Sequence, residues 1–294
     1  MRISTGHQFD SYSRGVSESQ RKLLDAQMRA QSGKRINQAS DDPVGASSVV
    51  RMGALKASIE QYRANAAMAK GVLGATEGTL GEINDLAKQA YQLAVRGATD
   101  SVDAAARKTM AGEVAELQRR IADLGNAKDP NGGYLFAGQR NDKPAFAIEG
   151  GNLSYMGDGR PRFAEVSADQ TVTLNTSGNP LLTDLYGRLE TLRAALVNGE
   201  TQKISETSIP EMQKSIDALN LERGSIGSRL NTLEDLETQH LRREDELTAR
   251  ISDVEEVDMT QAIMDYRLAE TAYEAALNVA SQGFRLSLMD FIRG

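Results

Sequence analysis

A long helical seam constrains the fold of this chain more than any other feature of its sequence. From Met52 to Ala94, apolar side chains recur at alternating steps of three and four residues, which is the heptad spacing of helices that pack along one stripe. At 1.5 Å per residue, a helix over this span is on the order of 65 Å long. Thr76 alone is neither apolar nor aromatic among the seam positions, which are Met52, Leu55, Ile59, Tyr62, Ala66, Ala69, Leu73, Thr76, Leu80, Ile83, Ala87, Ala90 and Ala94.

Three further segments have helical spacing and can partner this helix. One is predicted to begin near 100–103 and to end at 125–126, and a second runs from Leu181 to a stop at 198–199. A longer one begins near Ile209-Pro210, where proline suits the first helical turn. We interpret His240 as a packing residue of its seam, because no second metal-ligand type converges on it in the sequence. That seam comprises Leu219, Ile226, Leu233, His240, Leu247 and Val254.

Residues 131–180 differ in composition from the helical segments and predict a small β-rich insert between the helices. Gly, Asn, Asp and Pro separate short runs of strand-like composition, namely YLFAG, FAI, LSYMG, RFAEV and TVTL. The insert does not continue the heptads and is bounded by Gly/Pro-rich segments. We therefore expect it to be peripheral to assembly, so that its replacement by a short linker leaves some function.

Composition excludes several classes of site. The chain has no cysteine and only two histidines, which argues against disulfides, thiolate chemistry and a histidine metal cluster. A net charge of −7 argues against a general nucleic-acid binder. No apolar run is long enough to predict a membrane span, and the N-terminus does not have the pattern of a cleaved secretory signal. We find no catalytic constellation and predict no enzyme activity, cofactor or metal.

Both ends of the chain carry apolar stripes that indicate assembly. The C-terminal segment has a second stripe at Leu268, Ala272, Ala275 and Val279, and a helix that is apolar on two sides needs more than one neighbour. We therefore predict an assembly interface formed by both ends. Its residues are Phe9, Tyr12, Val16, Leu23, Ala262, Tyr266, Ala269, Tyr273, Ala276, Ala280, Phe284, Leu288 and Phe291.

The stretch SGKRINQASDDPVGAS, residues 32–47, predicts an ordered joint between the first helix and the long one. Ser32-Gly33 provides a helix stop with a glycine that tolerates left-handed backbone. Asp42-Pro43 provides a restart, with aspartate as the N-cap and proline at the first helical position. We interpret residues 252–258 as the counterpart of this joint before the last helix. The predicted joint residues are Gly33, Arg35, Ile36, Asn37, Ser40, Asp41, Asp42 and Pro43.

The predicted fold is mainly α with the small β-rich insert, in an elongated rod of long antiparallel helices whose two termini form a paired-helix end. Residues 1–40 and 258–294 are expected to form an assembly domain. Residues 41–130 and 181–257 would form the helical rod, and 131–180 the inserted outer domain.

The motifs resemble those of the flagellin superfamily. SGKRINQASDDPVGAS is similar to the signature that follows the first helix in flagellins and in flagellin-like junction proteins. The MRIST start, NGGYLFAG, ERGSIGSRLN and the end YEAALNVASQGFRLSLMDFIR resemble the hook-associated branch of that superfamily. The start and end differ from the INTN and LAQANQ types that are more usual in flagellin.

The resemblance implies an exported structural protein that forms a ring between hook and filament of the bacterial flagellum. It implies self-association, contact with a neighbouring hook-associated protein and with flagellin, and a cytoplasmic export chaperone. Export would occur through the flagellar type III apparatus without a cleaved signal, and neither nucleic acid nor membrane is an expected partner. Two alternatives remain, a flagellin-type filament subunit and a cytoplasmic coiled-coil adaptor or enzyme.

Overall fold

The computed structural model describes the backbone of residues 5–293 and the side chains of these residues except 5, 6, 8, 149 and 284–293. Helices dominate, as the heptad spacing predicts. A single π-helical turn, Ile204–Ser208, joins two of them. The helices are α1 Thr5–Ser32, α2 Pro43–Gly97, α3 Ala104–Gly125, α4 Leu181–Asn198, α5 Thr201–Lys203, α6 Ile209–Glu255 and α7 Met259–Arg293.

Local chemistry sets the ends of several helices. Asp103 caps α3, because its carboxylate accepts a hydrogen bond from the Ala106 amide at 2.7 Å. Helix α4 ends at Gly199, whose φ of 71° lies in the left-handed region that glycine adopts without steric cost. Both ends lie where the sequence predicts them.

The insert contains two separate antiparallel hairpins. Strand β1 (Phe146–Glu149) pairs with β2 (Asn152–Tyr155), and β3 (Phe163–Ser167) pairs with β4 (Gln170–Thr173). The prediction of a further strand at YLFAG is wrong. Leu135, Phe136 and Ala137 are all buried, whereas a half-buried strand exposes alternate side chains, and Gly138 turns the chain at a φ of 82°.

The described chain divides into two compact units. The first comprises residues 1–58 and 242–294, and the second comprises 59–241, so that α2 and α6 each contribute to both. These units are defined by contacts within one chain. The assembly, rod and outer domains predicted from the sequence remain a prediction.

The predicted seams form the core of the second unit. On α2, Ile59 and every seam position from Ala66 to Ala94 are buried. Thr76 satisfies its buried hydroxyl by donating to the Val72 carbonyl one turn earlier, at 2.8 Å. The seam of α6 contributes Leu219, Ile226 and Leu233.

Polar pairs fix α2 and α6 as antiparallel neighbours. On α2, Lys70 Nζ lies 3.2 Å from Glu234 Oε1 of α6. Further along α2, Glu77 Oε1 accepts a hydrogen bond from Arg223 Nη2 at 2.6 Å. Asn84 Nδ2 donates to Asn220 Oδ1 at 3.1 Å. The partner's number falls along α6 as the residue number rises along α2, which is the order that antiparallel packing requires. A β-carbon at Gly71, Gly74 or Gly78 would meet no atom within 4 Å, so within this chain these glycines do not serve close helix approach.

The insert is not peripheral to packing. Buried residues of both hairpins and of the preceding loop belong to the same apolar core as α2, α3, α4 and α6. Removal of the insert would therefore take apolar side chains out of this core. The insert contributes Leu135, Phe136, Ala137, Ala145, Phe146, Leu153, Ala164, Val166, Val172 and Leu174.

Candidate assembly interface

Helices α1 and α7 pack against each other in the first unit. On α7, Ala262 and Ala280 are buried in this pair, and small side chains at such positions allow two helices to approach closely. Phe9 is 55% exposed, and Phe284, Leu288 and Phe291 lie outside the described side chains. The half-buried members of the predicted stripes are Tyr12, Val16 and Leu23 on α1 and Tyr266, Ala269, Tyr273 and Ala276 on α7.

Tyr12 and Gly283 lie close together in this helix pair. A β-carbon at Gly283 would lie 2.5 Å from Cε2 of Tyr12 and 2.7 Å from its Cζ. Real β-carbons essentially never lie within 3.0 Å of such an atom, so the tyrosine ring occupies the space that glycine leaves open. The sequence shows a glycine here, but only the packing shows why it is needed.

The second stripe of α7 stays exposed. Leu268 is 70% exposed and Val279 57% exposed, and both Ala272 and Ala275 are exposed. At about 100° per residue, this stripe is rotated by roughly 110° from the residues that face α1. The helix is therefore apolar on two faces, as predicted, and within this chain α1 covers one of them.

A groove of about 530 Å³ runs between α1 and α7 and is bordered by the exposed stripe. Its walls combine small apolar residues of α7, such as Ala269 and Ala272, with Lys22, Asp25 and Arg29 of α1. This surface has the apolar centre and charged margin of a protein–protein contact.

The joint begins at a left-handed glycine. Gly33, with a φ of 69°, follows the last residue of α1, and its amide donates to the Arg29 carbonyl at 3.0 Å. At the other end Asp42 precedes Pro43, the first residue of α2, and its Oδ1 accepts from the Gly45 amide at 2.9 Å. The helix stop and restart lie where the sequence predicts them.

Asp41 stabilises a turn within the joint. Its Oδ2 accepts from the amides of Asn37 and Gln38 at 3.0 and 2.9 Å. These two bonds close a turn in the joint, and they lower the pKa of Asp41 because they stabilise the charged carboxylate. Ser40 is an exposed member of the same turn.

The joint pairs with residues 254–257, its predicted counterpart. The backbone amide of Arg35 donates to the Glu255 carbonyl at 2.6 Å, and the Val257 amide donates to the Gly33 carbonyl at 3.0 Å. Lys34 adds an ion pair with Glu255 at 2.7 Å. The chain before α2 and the chain after α6 are thus held side by side.

Arg35 links this pairing to the start of α2. Its guanidinium donates to Asp42 Oδ2 at 3.2 Å and to the Val254 carbonyl at 2.8 Å. The pKa of Asp42 is lowered, chiefly by the bond from the Gly45 amide and further by Arg35. Ile36 is buried beside these contacts, and its Cδ1 would lie 2.6 Å from a β-carbon at position 45.

Sequence reasoning missed two residues of the joint. Asp258 caps α7, accepting from the Thr260 amide at 2.8 Å, and this bond is the main cause of its lowered pKa. The DMTQ run at 258–261 carries the usual N-cap signal and would have predicted this. Gly45 is required by the nearness of Ile36 and Asp42, for which the sequence offers no signal.

The described residues show no arrangement of a metal centre. Among them, no three His, Asp or Glu side chains lie close enough together to hold a metal ion. His240 is buried on α6, with Nε2 2.7 Å from the Val166 carbonyl oxygen and its ring stacked on Tyr62. Within residues 5–293, no helix combines the length and the apolar character needed to cross a membrane.

Several known proteins are similar to this chain in sequence. Residues 3–141 match the family model of the bacterial flagellin N-terminal helical region. Flagellar hook-associated protein 3 of Escherichia coli is 24% identical over 314 residues, covering 98% of each chain. Two relatives that align with this chain over nearly its full length are both named flagellar hook-associated protein 3. The resemblance predicted from the motifs is therefore confirmed.

Solved structures of hook-associated relatives share the fold. FlgL of Bacillus cereus has a TM-score of 0.61 at 22% identity, covering 69% of this chain and 99% of its own. The flagellar junction protein FlgL of Legionella pneumophila has a TM-score of 0.62 at 15% identity, covering 71% and 99%. The similarity to hook-associated protein 3 over nearly the whole chain favours a hook-associated protein over a filament subunit or a coiled-coil adaptor.

Proposed function

We propose that this chain is a structural component of the bacterial flagellum that forms the junction ring between hook and filament. Its homologues are hook-associated proteins over their full length, and a structural relative is named a flagellar junction protein. The role is non-enzymatic: the chain supplies surfaces, and several of its charged side chains form ion pairs and helix caps.

The observation that carries the proposal is the exposed apolar stripe on α7 beside a helix pair that is already formed. Exposed apolar side chains in a continuous row indicate a contact that forms only in an assembly. Copies of this chain would cover the stripe in a ring, while a neighbouring hook-associated protein and flagellin would contact the two sides of that ring. A cytoplasmic chaperone would shield the same surface before export through the type III apparatus, and the final location is extracellular.

The first test is electron microscopy of flagella from a strain that lacks this protein. We expect bare hooks, with flagellin released into the medium, and restored filaments when the intact chain is supplied. Normal filaments in the deletion strain would contradict the junction role.

The second test places a charge on the exposed stripe by Leu268→Asp. The side chain is 70% exposed, so the purified monomer should keep the helical content and melting temperature of the parent. In the ring the carboxylate would be buried without a partner, a cost of several kcal/mol per subunit, so filaments should be lost.

Asn278→Asp is the matched control, because Asn278 is exposed on the polar face of α7 that also carries Arg267, Glu270 and Glu274. It introduces the same charge on the same helix and should support filaments. Filaments of normal number with the Leu268 variant, or equal loss with both variants, would exclude the stripe as the assembly surface.

A further inference from the structure

Two helix side chains bond successive backbone carbonyls of strand β3. Asn65 on α2 donates from Nδ2 to the Glu165 carbonyl at 2.9 Å. His240 on α6 places Nε2 2.7 Å from the Val166 carbonyl oxygen. Because a carbonyl oxygen can only accept, Nε2 carries the proton and His240 is the donor.

These bonds lie where strand pairing is interrupted. The pairing of β3 with β4 shifts register between Glu165 and Ser167, which is a β-bulge. A bulge disrupts the ladder locally, and a buried carbonyl without a partner costs about 1–3 kcal/mol. Val166 is fully buried, so its carbonyl needs a donor from outside the hairpin, and α6 supplies it.

The packing around both donors holds them in position. The ring of His240 stacks on Tyr62 of α2, with ring centres 6.1 Å apart and planes inclined by 26°. Gln61 donates to Asn65 Oδ1 at 3.0 Å, which orients the amide so that Nδ2 faces the hairpin. Each donor therefore has a second contact on α2 that fixes its direction.

Apolar burial does not fix the hairpin to the same degree. Ala164, Val166 and Val172 are buried against the helices, but apolar contacts are non-directional and these side chains are small. Two directional hydrogen bonds from two different helices select one position. We infer that Asn65 and His240 form a polar clasp that holds the β3–β4 hairpin on the α2/α6 pair, and that the hairpin opens as a unit when the clasp is removed. This inference does not depend on the proposed flagellar role.

The test is hydrogen exchange of the purified full-length chain, read by mass spectrometry. Asn65→Asp keeps the acceptor for Gln61 and removes the donor to Glu165, while His240→Leu removes the other donor and keeps apolar bulk. Either change should raise the exchange rate of amides in 163–173 on the order of tenfold, with amides of α3 and α4 unchanged.

Two variants serve as controls. His240→Gln retains an amide donor and should restore part of the protection, whereas Gln239→Glu adds a charge at the neighbouring exposed position and should leave the hairpin unchanged. Unaltered hairpin exchange in Asn65→Asp would overturn the clasp, and so would an equal rise in α3 and α4, which means global destabilisation. If His240→Leu does not fold, Asn65→Asp decides the question alone, because Asn65 is only partly buried.

Discussion

At the scale of single residues, Gly45 shows that tight packing in the joint leaves no room for a side chain at this position. A methyl group here would lie 2.6 Å from Ile36 Cδ1 and 2.5 Å from Asp42 Oδ2. We expect Gly45→Ala to destabilise the joint by about 1–3 kcal/mol, even though alanine favours a helix, because overpacking outweighs propensity.

Gly53→Ala on the same helix is the control, since its β-carbon would meet no atom within 4 Å. It should stabilise the chain by about 0.5–1 kcal/mol. Amide exchange over residues 33–46 measures both variants. Equal protection of the joint in the two variants would show that Ile36 and Asp42 can move aside at little cost.

The aspartates of the joint predict a dependence of its stability on pH. Backbone amides lower the pKa of Asp41, Asp42 and Asp258 in the folded chain. The unfolded chain then binds more protons at acidic pH, so stability from these groups is present above the ordinary aspartate pKa near 3.8 and is lost as pH falls through the folded values.

The protection factors of the joint amides at pH 6 and at pH 3 measure this loss of stability. Replacing all three aspartates by asparagine should make these protection factors less dependent on pH. If the triple variant keeps the pH dependence of the parent, other carboxylates must be responsible for it.

At the scale of elements, Gly283 tests the fit of α1 against α7. Gly283→Ala would drive a β-carbon into the ring of Tyr12, so the helices must separate locally. We expect faster amide exchange in residues 262–280 of α7, with the second unit unchanged.

Gly15→Ala is the matched control on the facing helix, because its β-carbon would meet nothing within 4 Å. This variant should protect α1 slightly. Similar exchange in both variants would mean that the pair does not have the tight fit seen at Tyr12.

Elements with local signals could be predicted, whereas their non-local contacts could not. The Ser32-Gly33 stop and the Asp42-Pro43 restart follow from caps and backbone preferences of adjacent residues. The two apolar faces of α7 follow from periodicity, but which face would meet α1 does not. The bond from Arg35 to the Val254 carbonyl joins residues 219 positions apart in sequence, and no local pattern encodes it. The run at 134–138 was wrongly predicted as a strand, because buried loops and buried strands have similar apolar compositions.

At the scale of the whole molecule, each compact unit depends on segments that are distant in sequence. The first unit combines residues 1–58 with 242–294, and in the second the insert shares one apolar core with α2 and α6. The surface proposed for assembly lies in the first unit and the large apolar core in the second. Changes on the exposed face of α7 should therefore alter assembly before stability, and changes in the core should do the opposite.

The last prediction concerns replacement of 131–180 by a short linker. The segment contributes ten buried apolar residues to the core of the second unit, including Phe136 and Phe146. Burial of a large apolar side chain stabilises a fold by about 1.5–3 kcal/mol, so the loss of the seven that are larger than alanine is comparable to the roughly 5–15 kcal/mol net stability of a typical domain. We expect the shortened chain to lose cooperative thermal unfolding and to fail to support filaments.

The control is an insertion of four Gly/Ser residues between Gly150 and Gly151. Both glycines have positive φ values, lie in the tight turn between β1 and β2, and would meet no neighbouring atom within 4 Å. A longer loop costs little entropy, so this chain should melt near the parent temperature and support filaments. Cooperative melting of the shortened chain would show that the helices form a stable core without these ten residues. That result would support the prediction that the insert is peripheral.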